Sequence, residues 1–422
     1  VKARYPALAA AGTALAMTMT LTGCGSLTGD NDVTLKIVAA DYGDSEANSS
    51  QKYWDDLAAA FHEANPEIKV EVSVYSWNEV DAKVAEQVKA GKAPDIAQIG
   101  AYSDYVAEDK LYSADELLTI TTQADFLGSL VDAGEVRRVQ YGMPFVSSTR
   151  LLFYNEDLFA EAGIAKPPTT WAELEEAAKK LKGVAKTPFA LPLGREEAQA
   201  ETMMWLLSGG GGYTDVDEVY KIGSAENVKT LNWLKDKLVA PGLTGSVEPW
   251  KLNRQDAFDA FSRGEVGMLN GHPTLMKQAS SKGVKYGMVP MPTLDGEEQP
   301  TMGVADWVMA FKNGHRKESG KFLDFLYEEK NVTKFTSTYG LLPVTNSGYR
   351  AMQQSSDPAD EELKNFLTAL PGSRLYPVGK KSWAAVSESV KSNIGSAVMP
   401  SGRADSVLER IAQDAQTAED AQ

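Results

Sequence analysis

The sequence predicts an α/β protein built as two lobes. Three observations carry this expectation. The chain has 422 residues, more than one simple core accommodates. Its hydrophobic fraction, 43%, is that of an ordinary folded protein and not of a disordered chain. Strand and helix patterns alternate as β-α-β-α-β through residues 33–99, the order that builds a mostly parallel sheet covered by helices.

Each element has its own pattern. Val33–Ala39 reads as a strand, with Leu35 and Ile37 alternating with Thr34 and Lys36. Tyr53–Asn65 reads as a helix, because Trp54, Leu57, Ala58 and Phe61 share one face. Asn65-Pro66 stops it, since the residue before proline is pushed out of the helical region. Ile68, Val70, Val72 and Val74 then alternate with Lys69, Glu71 and Ser73 as a strand. A second helix carries Val80, Val84 and Val88 and ends at Gly91, and Pro94–Ile99 is a short buried strand.

The middle of the chain is read in the same way. Gln140–Asn155 is expected to be a strand passing between the lobes. Thr170 and Glu173 form a capping box ahead of a helix closed by Gly183. Ser208–Tyr213, with four successive glycines, is expected to be a mobile loop. Asp256–Gly264 is a short helix followed by the strand Val266–Leu269, and Asp295-Gly296 marks a turn. Ser319–Tyr327 is amphipathic, and helical patterns fill Lys380–Gln416.

Charge and cysteine usage exclude several function classes. With 42 basic and 58 acidic residues the net charge is −16. That balance argues against nucleic acid, whose binding depends on Lys and Arg neutralising phosphate. The single cysteine, Cys24, excludes an intrachain disulfide framework and any multi-thiolate metal site.

The position of that cysteine is informative. Lys2 and Arg4 precede an uncharged stretch, Pro6–Met19, which leads to Leu21-Thr22-Gly23-Cys24. A basic start, an apolar stretch of roughly 15 residues and small residues before a break are the parts of an export signal. The stretch falls short of the ~20 residues that span a bilayer. Leu-Thr-Gly-Cys resembles a bacterial lipobox, which implies cleavage before Cys24 and a diacylglycerol on its thiol. The competing reading is a buried cysteine after an uncleaved helix. Cleavage would remove two positive charges, so the net would become −18, and Gly25–Asp32 would serve as a flexible tether.

A search for catalytic chemistry finds none of the usual motifs. No phosphate-binding glycine loop, no Gly-x-Ser-x-Gly and no His-Glu-x-x-His is present. His62, His272 and His315 are isolated from one another, which supports neither a zinc site nor a hydrolase triad. Asp41, Asp44 and Glu46 lack the spacing of a calcium loop. No metal and no cofactor are expected. Nothing singles out a carboxylate pair of the kind a glycosidase needs.

Several segments, taken in order, resemble family 1 extracellular solute-binding proteins, the sugar-binding components of bacterial ABC importers. They are Phe61–Val74 around Asn65-Pro66, Ala90–Ile96, Leu152–Phe159, Ala162–Ile164 with Pro167–Trp171, Phe261–Met268 and Gly340–Pro343. The resemblance implies the two-lobe α/β fold of periplasmic binding proteins, type II, with a hinge and a sugar in the cleft between the lobes. It implies a carbohydrate ligand, an ABC permease as partner, a lipid anchor at the outer face of the cytoplasmic membrane, and a monomer. The expected division is signal peptide 1–23, tether 24–32, first lobe 33–145, second lobe 146–300, return to the first lobe 301–345, and second lobe with hinge-proximal helices 346–422. Two alternatives stay open: a secreted carbohydrate-active enzyme, and a ligand sensor of the same fold.

Candidate ligand contacts follow from the loops at the carboxyl ends of strands, where open α/β sheets bind ligands. Aromatic faces would cover sugar C–H faces, while carboxylates, amides and Arg would bond the hydroxyls. The first lobe offers Asp41, Tyr42 and Asp44, then Gln98, Tyr102 and Asp104. Trp77 either contacts ligand or covers a helix start. Ser148 and Arg150 lie near the crossing, where Arg150 either binds ligand or pairs with a structural carboxylate. In the second lobe Glu201 and Trp205 share a helical face, with Trp205 either a contact or a core residue. Asn270 and His272 follow the Gly-Met strand, although His272-Pro273 replaces the aromatic usual in relatives. Asp306-Trp307, which resembles the family's recurrent segment on return to the first lobe, and Trp383 complete the set, and Trp54, Trp171, Trp233 and Trp250 are read as packing residues.

Overall fold

A computed structural model describes residues 33–43, 48–100 and 102–421. Cys24, the signal and tether segments, and Asp44 lie outside the described residues. Two sheets organise the chain. The first contains β1 (Val33–Ala40), β2 (Ile68–Tyr75), β3 (Ile96–Ile99), β6 (Met143–Thr149) and β11 (Gly303–Ala310), in the order β2-β1-β3-β11-β6. The second contains β7 (Leu151–Asn155), β8 (Thr187–Ala190), β9 (Val266–Gly271) and β10 (Tyr286–Val289), in the order β10-β7-β9-β8. A separate hairpin joins β4 (Glu135–Val136) and β5 (Val139–Gln140).

The first βαβαβ unit forms as its pattern predicts. β1 pairs in parallel with β2 and β3, with Ile37 opposite both Val72 and Ile96. Helix Gln51–Ala64 buries Tyr53, Trp54, Leu57, Ala58 and Phe61 and ends before Asn65. Trp54 and Phe145 stack at 5.4 Å over the first sheet. In the second lobe the capping box of Thr170 and Glu173 opens helix Trp171–Leu181, whose Trp171 packs against Trp205 and Trp233.

Two expectations are corrected. The crossing segment is two strands, not one: β6 belongs to the first sheet and β7 to the second, with Arg150 between them. The four-glycine segment is packed at Gly209 and Gly211, and Gly210 alone of the four is exposed. A side chain at Gly211 would meet Asn227 Oδ1 at 2.1 Å, and that buried asparagine also clamps Gly212 through its backbone N–H and C=O. The glycines permit this close approach.

Strand direction positions the site. β11 is antiparallel to both β3 and β6, so β1, β3 and β6 all end on one edge, where β11 begins. In the second sheet β8 and β9 run parallel and β7 opposes them, so the end of β9 lies beside the start of β7. The short link Thr149-Arg150-Leu151 therefore sets the two edges against each other. Two further segments join the lobes: residues 290–302, from β10 to β11, and residues 370–382, from helix Pro358–Ala369 to helix Trp383–Asn393.

Candidate functional site

On the first-lobe edge the loop after β1 is tied to β11. Tyr42 donates its hydroxyl proton to Asp306 Oδ2 at 2.8 Å and accepts from Gln98 Nε2 at 2.9 Å. Gln98, wholly buried, accepts from the Ala40 N–H at 2.9 Å. It therefore stands behind Tyr42 as a support. Burial pushes the Asp306 carboxyl up to about 6, against the stabilising hydrogen bond from Tyr42. Trp77, at 37% exposure, meets the Tyr42 ring edge to face at 5.5 Å.

Asp41 points into its own loop. Oδ1 accepts the N–H groups of Ser50 at 2.8 Å and Gly43 at 3.0 Å, and Oδ2 accepts from Ser49 Oγ. Burial raises its affinity for a proton, but these donors outweigh that and hold the carboxyl below its ordinary range. The residue shapes the loop that presents Tyr42.

The second-lobe edge carries a denser polar cluster. Arg150 is buried, donates to Ser148 Oγ at 3.1 Å, and pairs with Glu197 Oε1 at 3.3 Å. Arg254 pairs with Glu197 Oε2 at 2.5 Å and Glu196 Oε1 at 2.6 Å, and lies over the Phe258 ring. His272 packs beside that ring with centroids 5.0 Å apart. Desolvation first, then the nearby Arg150 and Arg254, hold its imidazole well below the ordinary range, and so neutral.

Glu201 is buried, and its Oε1 accepts from Trp205 Nε1 at 2.8 Å and Asn270 Nδ2 at 2.9 Å. Burial raises its carboxyl to about 8, despite those two donors. Asn270 Oδ1 is buried without a hydrogen-bond partner among the described residues. A small cavity touches Arg150, Glu197, Glu201, Asn270 and His272. These polar groups converge from β9, the helix Ala198–Ser208 and the crossing link.

The third connector adds aromatic surface. Tyr376 stacks on Trp383 at 5.0 Å, and Tyr213 packs against the same indole at 5.3 Å. Gly379 allows the connector to lie on the β4–β5 hairpin: a Cβ there would fall 2.3 Å from the Glu135 carbonyl oxygen.

The structure thus brings Tyr42, Trp77, Ser148, Arg150, Glu201, Asn270, His272 and Trp383 to the facing edges or directly beneath them. Others lie elsewhere. Tyr102 is fully buried, donates to the Ala133 carbonyl at 2.7 Å, and packs on Trp307. Trp307 is 1% exposed inside the first lobe. The pairing of β11 with β6 shifts register between Asp306 and Trp307, and Trp307 packs on Tyr102 while Asp306 meets the Tyr42 hydroxyl. Trp205 is core, with only its N–H turned to Glu201. Asp104 is exposed in the first turn of a short helix. Sequence reasoning missed Glu197, Arg254 and Tyr376, and took Asp306 only together with Trp307. Glu197 and Arg254 are joined by pairing over 57 positions that no local pattern records.

Two α/β lobes, joined by three segments and turning polar edges toward each other, define a two-lobe periplasmic-binding-protein fold. The chain belongs to the bacterial extracellular solute-binding protein family, whose profile matches residues 46–333. A Brucella abortus (strain 2308) protein named for binding alone is 28% identical over 376 residues, covering 86% of this chain and 89% of that protein. The sn-glycerol-3-phosphate-binding periplasmic protein UgpB of Salmonella typhimurium is 27% identical over 333 residues, covering 71% of this chain and 73% of that protein. Among solved structures, the cyclic alpha-maltosyl-1,6-maltose binding protein from Arthrobacter globiformis superposes with a TM-score of 0.79 at 19% identity, covering 92% of this chain and all of that one. An ABC substrate-binding protein from Listeria monocytogenes in complex with cycloalternan superposes with a TM-score of 0.72 at 22% identity, covering 92% and 98%. These likenesses show the fold.

Proposed function

We propose that the protein captures a neutral carbohydrate between its lobes and delivers it to an ABC permease, without covalent chemistry. The observation that carries this reading is the cluster of Arg150, Glu197, Glu201 and Asn270 on one edge, with Tyr42 and Asp306 on the other. Such donors and acceptors, held in buried geometry, suit a molecule rich in hydroxyl groups. Trp77, Tyr376 and Trp383 supply aromatic faces for the C–H faces of sugar rings. Closure of the hinge would remove water and strengthen the polar contacts. The ligand-facing set we favour is Tyr42, Trp77, Arg150, Glu197, Glu201, Asn270, His272, Asp306, Tyr376 and Trp383. Gln98, Tyr102, Trp205 and Trp307 would support it from behind.

Charge favours a neutral solute over a phosphorylated one. Arg150 and Arg254 already face Glu196 and Glu197, so the edge keeps no surplus cation for a dianion. The solved neighbours named for cyclic maltosides and cycloalternan lend support, whereas the curated relatives named for sn-glycerol-3-phosphate point the other way. We further read the chain as exported, anchored by a lipid on Cys24 and monomeric.

A thermal-shift panel of mono- and oligosaccharides, with sn-glycerol-3-phosphate included, tests the proposal. A ligand at 100 times its Kd stabilises by ~2.7 kcal/mol. The sugar that shifts the transition should be recovered unchanged. A shift with the phosphate ester and with no sugar sinks the neutral-carbohydrate reading, and turnover of a glycoside sinks the receptor reading.

A further inference from the structure

A cavity of about 530 Å³ lies where the connecting segments meet. Its walls come from all three: Arg150 and Leu151 from the first, Pro290 and Thr301 near the ends of the second, and Ala369 and Gly372 where the third begins. Both lobes contribute. Met204 belongs to the second-lobe helix Ala198–Ser208, whereas Asn365 and Ala369 lie on helix Pro358–Ala369, which packs on β6 of the first sheet. A volume of this size falls in the range of small-molecule sites, roughly 300–1,000 Å³.

The wall chemistry selects the occupant. Leu151, Met204, Pro290, Met291, Pro300 and Ala369 make it largely apolar. Its buried and half-buried hydroxyls are already engaged: Thr301 donates to the Arg150 carbonyl, Thr293 accepts from the Gly296 N–H, and Ser208 donates to the Trp205 carbonyl while accepting from Trp171. The Arg150 guanidinium is committed to Glu197 and Ser148. Glu298 stands in water. An anion would therefore lose its hydration without gaining a counter-charge, and a cation would find only the solvent-screened Glu298. The side-chain amides of Gln299 and Asn365 line the opening with no partner among the described residues, and they suit one or two neutral polar groups.

We propose that this cavity is a second small-molecule site, separate from the inter-lobe cleft, for an uncharged molecule with an apolar body and one or two hydroxyl or N–H groups. An occupant touches segments from both lobes, so its shape is read by the same joints that set the angle between them.

The probe is N-phenyl-1-naphthylamine, an uncharged fluorophore with one N–H, titrated into the purified mature chain. The expected result is a saturable, one-to-one rise in emission. Binding should weaken at least tenfold in Ala369→Trp, which fills the cavity, and in Asn365→Trp. Asn365 is exposed, so its replacement leaves the core intact if the first variant folds poorly. Weakened binding in either folded variant supports the site. An unsaturable signal in the parent chain, or parent-like binding in both folded variants, overturns it.

Discussion

Tyr42 gives its hydroxyl proton to Asp306 across 2.8 Å, joining residues 264 positions apart. The bond ties the loop after β1 to the strand by which the chain returns from the second lobe. Its removal by Tyr42→Phe leaves Asp306 buried with its best donor gone. We expect the Asp306 carboxyl to titrate higher than about 6, and stability to fall by ~1–3 kcal/mol. An NMR titration of the Asp306 side chain, with urea denaturation alongside, measures both. An unmoved midpoint would show that the bond does not govern this carboxyl.

Glu201 makes stability depend on pH in a defined direction. Burial raises it from 4.5 to about 8, so the folded chain holds a proton that the unfolded chain has released. Stability is then highest below the unfolded value, declines as pH rises through the interval up to about 8, and is flat beyond. Glu201→Gln keeps the neutral shape and the acceptor oxygen used by Trp205 and Asn270. Its melting temperature should fall less than that of the parent chain between about pH 5 and about pH 8. Parallel curves for the two proteins would count against a protonated Glu201.

Arg150 answers to two partners at the crossing. Arg150→Met would leave Glu197 with Arg254 alone and deprive Ser148 of its donor. The expected loss is ~2 kcal/mol in urea denaturation, together with loss of solute binding by calorimetry. Arg150→Lys restores charge without the planar fork and should recover part of the stability but little of the affinity. Full recovery of affinity by lysine would show that shape is unimportant there.

Trp77 and Trp307 should separate binding from stability. Trp77 is 37% exposed and Trp307 only 1%. Trp77→Ala should weaken solute binding while costing under ~1 kcal/mol of stability, because a half-open ring loses little packing. Trp307→Ala opens a cavity beside Tyr102 and should cost ~3–5 kcal/mol. If the stability losses come out reversed, the placement of these rings is wrong.

Cys24 lies outside the described residues, and its role is open to direct measurement. Mass spectrometry of the exported protein should find an N-terminal peptide beginning at Cys24 and carrying a diacylglycerol. Cys24→Ser should release the protein from the membrane fraction. An intact N-terminal segment on the mature protein excludes lipidation at this site.

The sequence displayed the fold more plainly than the site. Alternation at Ile68–Val74 and the apolar stripe from Trp54 to Phe61 are local signals, and both elements form. The edge that bears Tyr42 was equally legible, because loops after parallel strands share an end of the sheet. What stayed hidden was pairing at a distance. Nothing near Arg150 indicates that Glu197 will meet it, and nothing near Tyr42 points to Asp306. Aromatic residues misled for a related reason. A tryptophan suits a core as well as a sugar face, and the register shift on β11 between Asp306 and Trp307 is not visible in the sequence.

The place of β11 between β3 and β6 also orders events as the chain is made. β3 and β6 are synthesised early, but neither can complete its pairing until residues 303–310 have been added. Until then the first sheet lacks the strand that links β3 to β6, while all four strands of the second sheet are already available. The first sheet must therefore close after the second, and the second-lobe core in turn awaits residues 383–415. A nascent chain of this design stays incompletely folded until most of its length has emerged, a useful delay for a protein that has to cross a membrane before it locks shut.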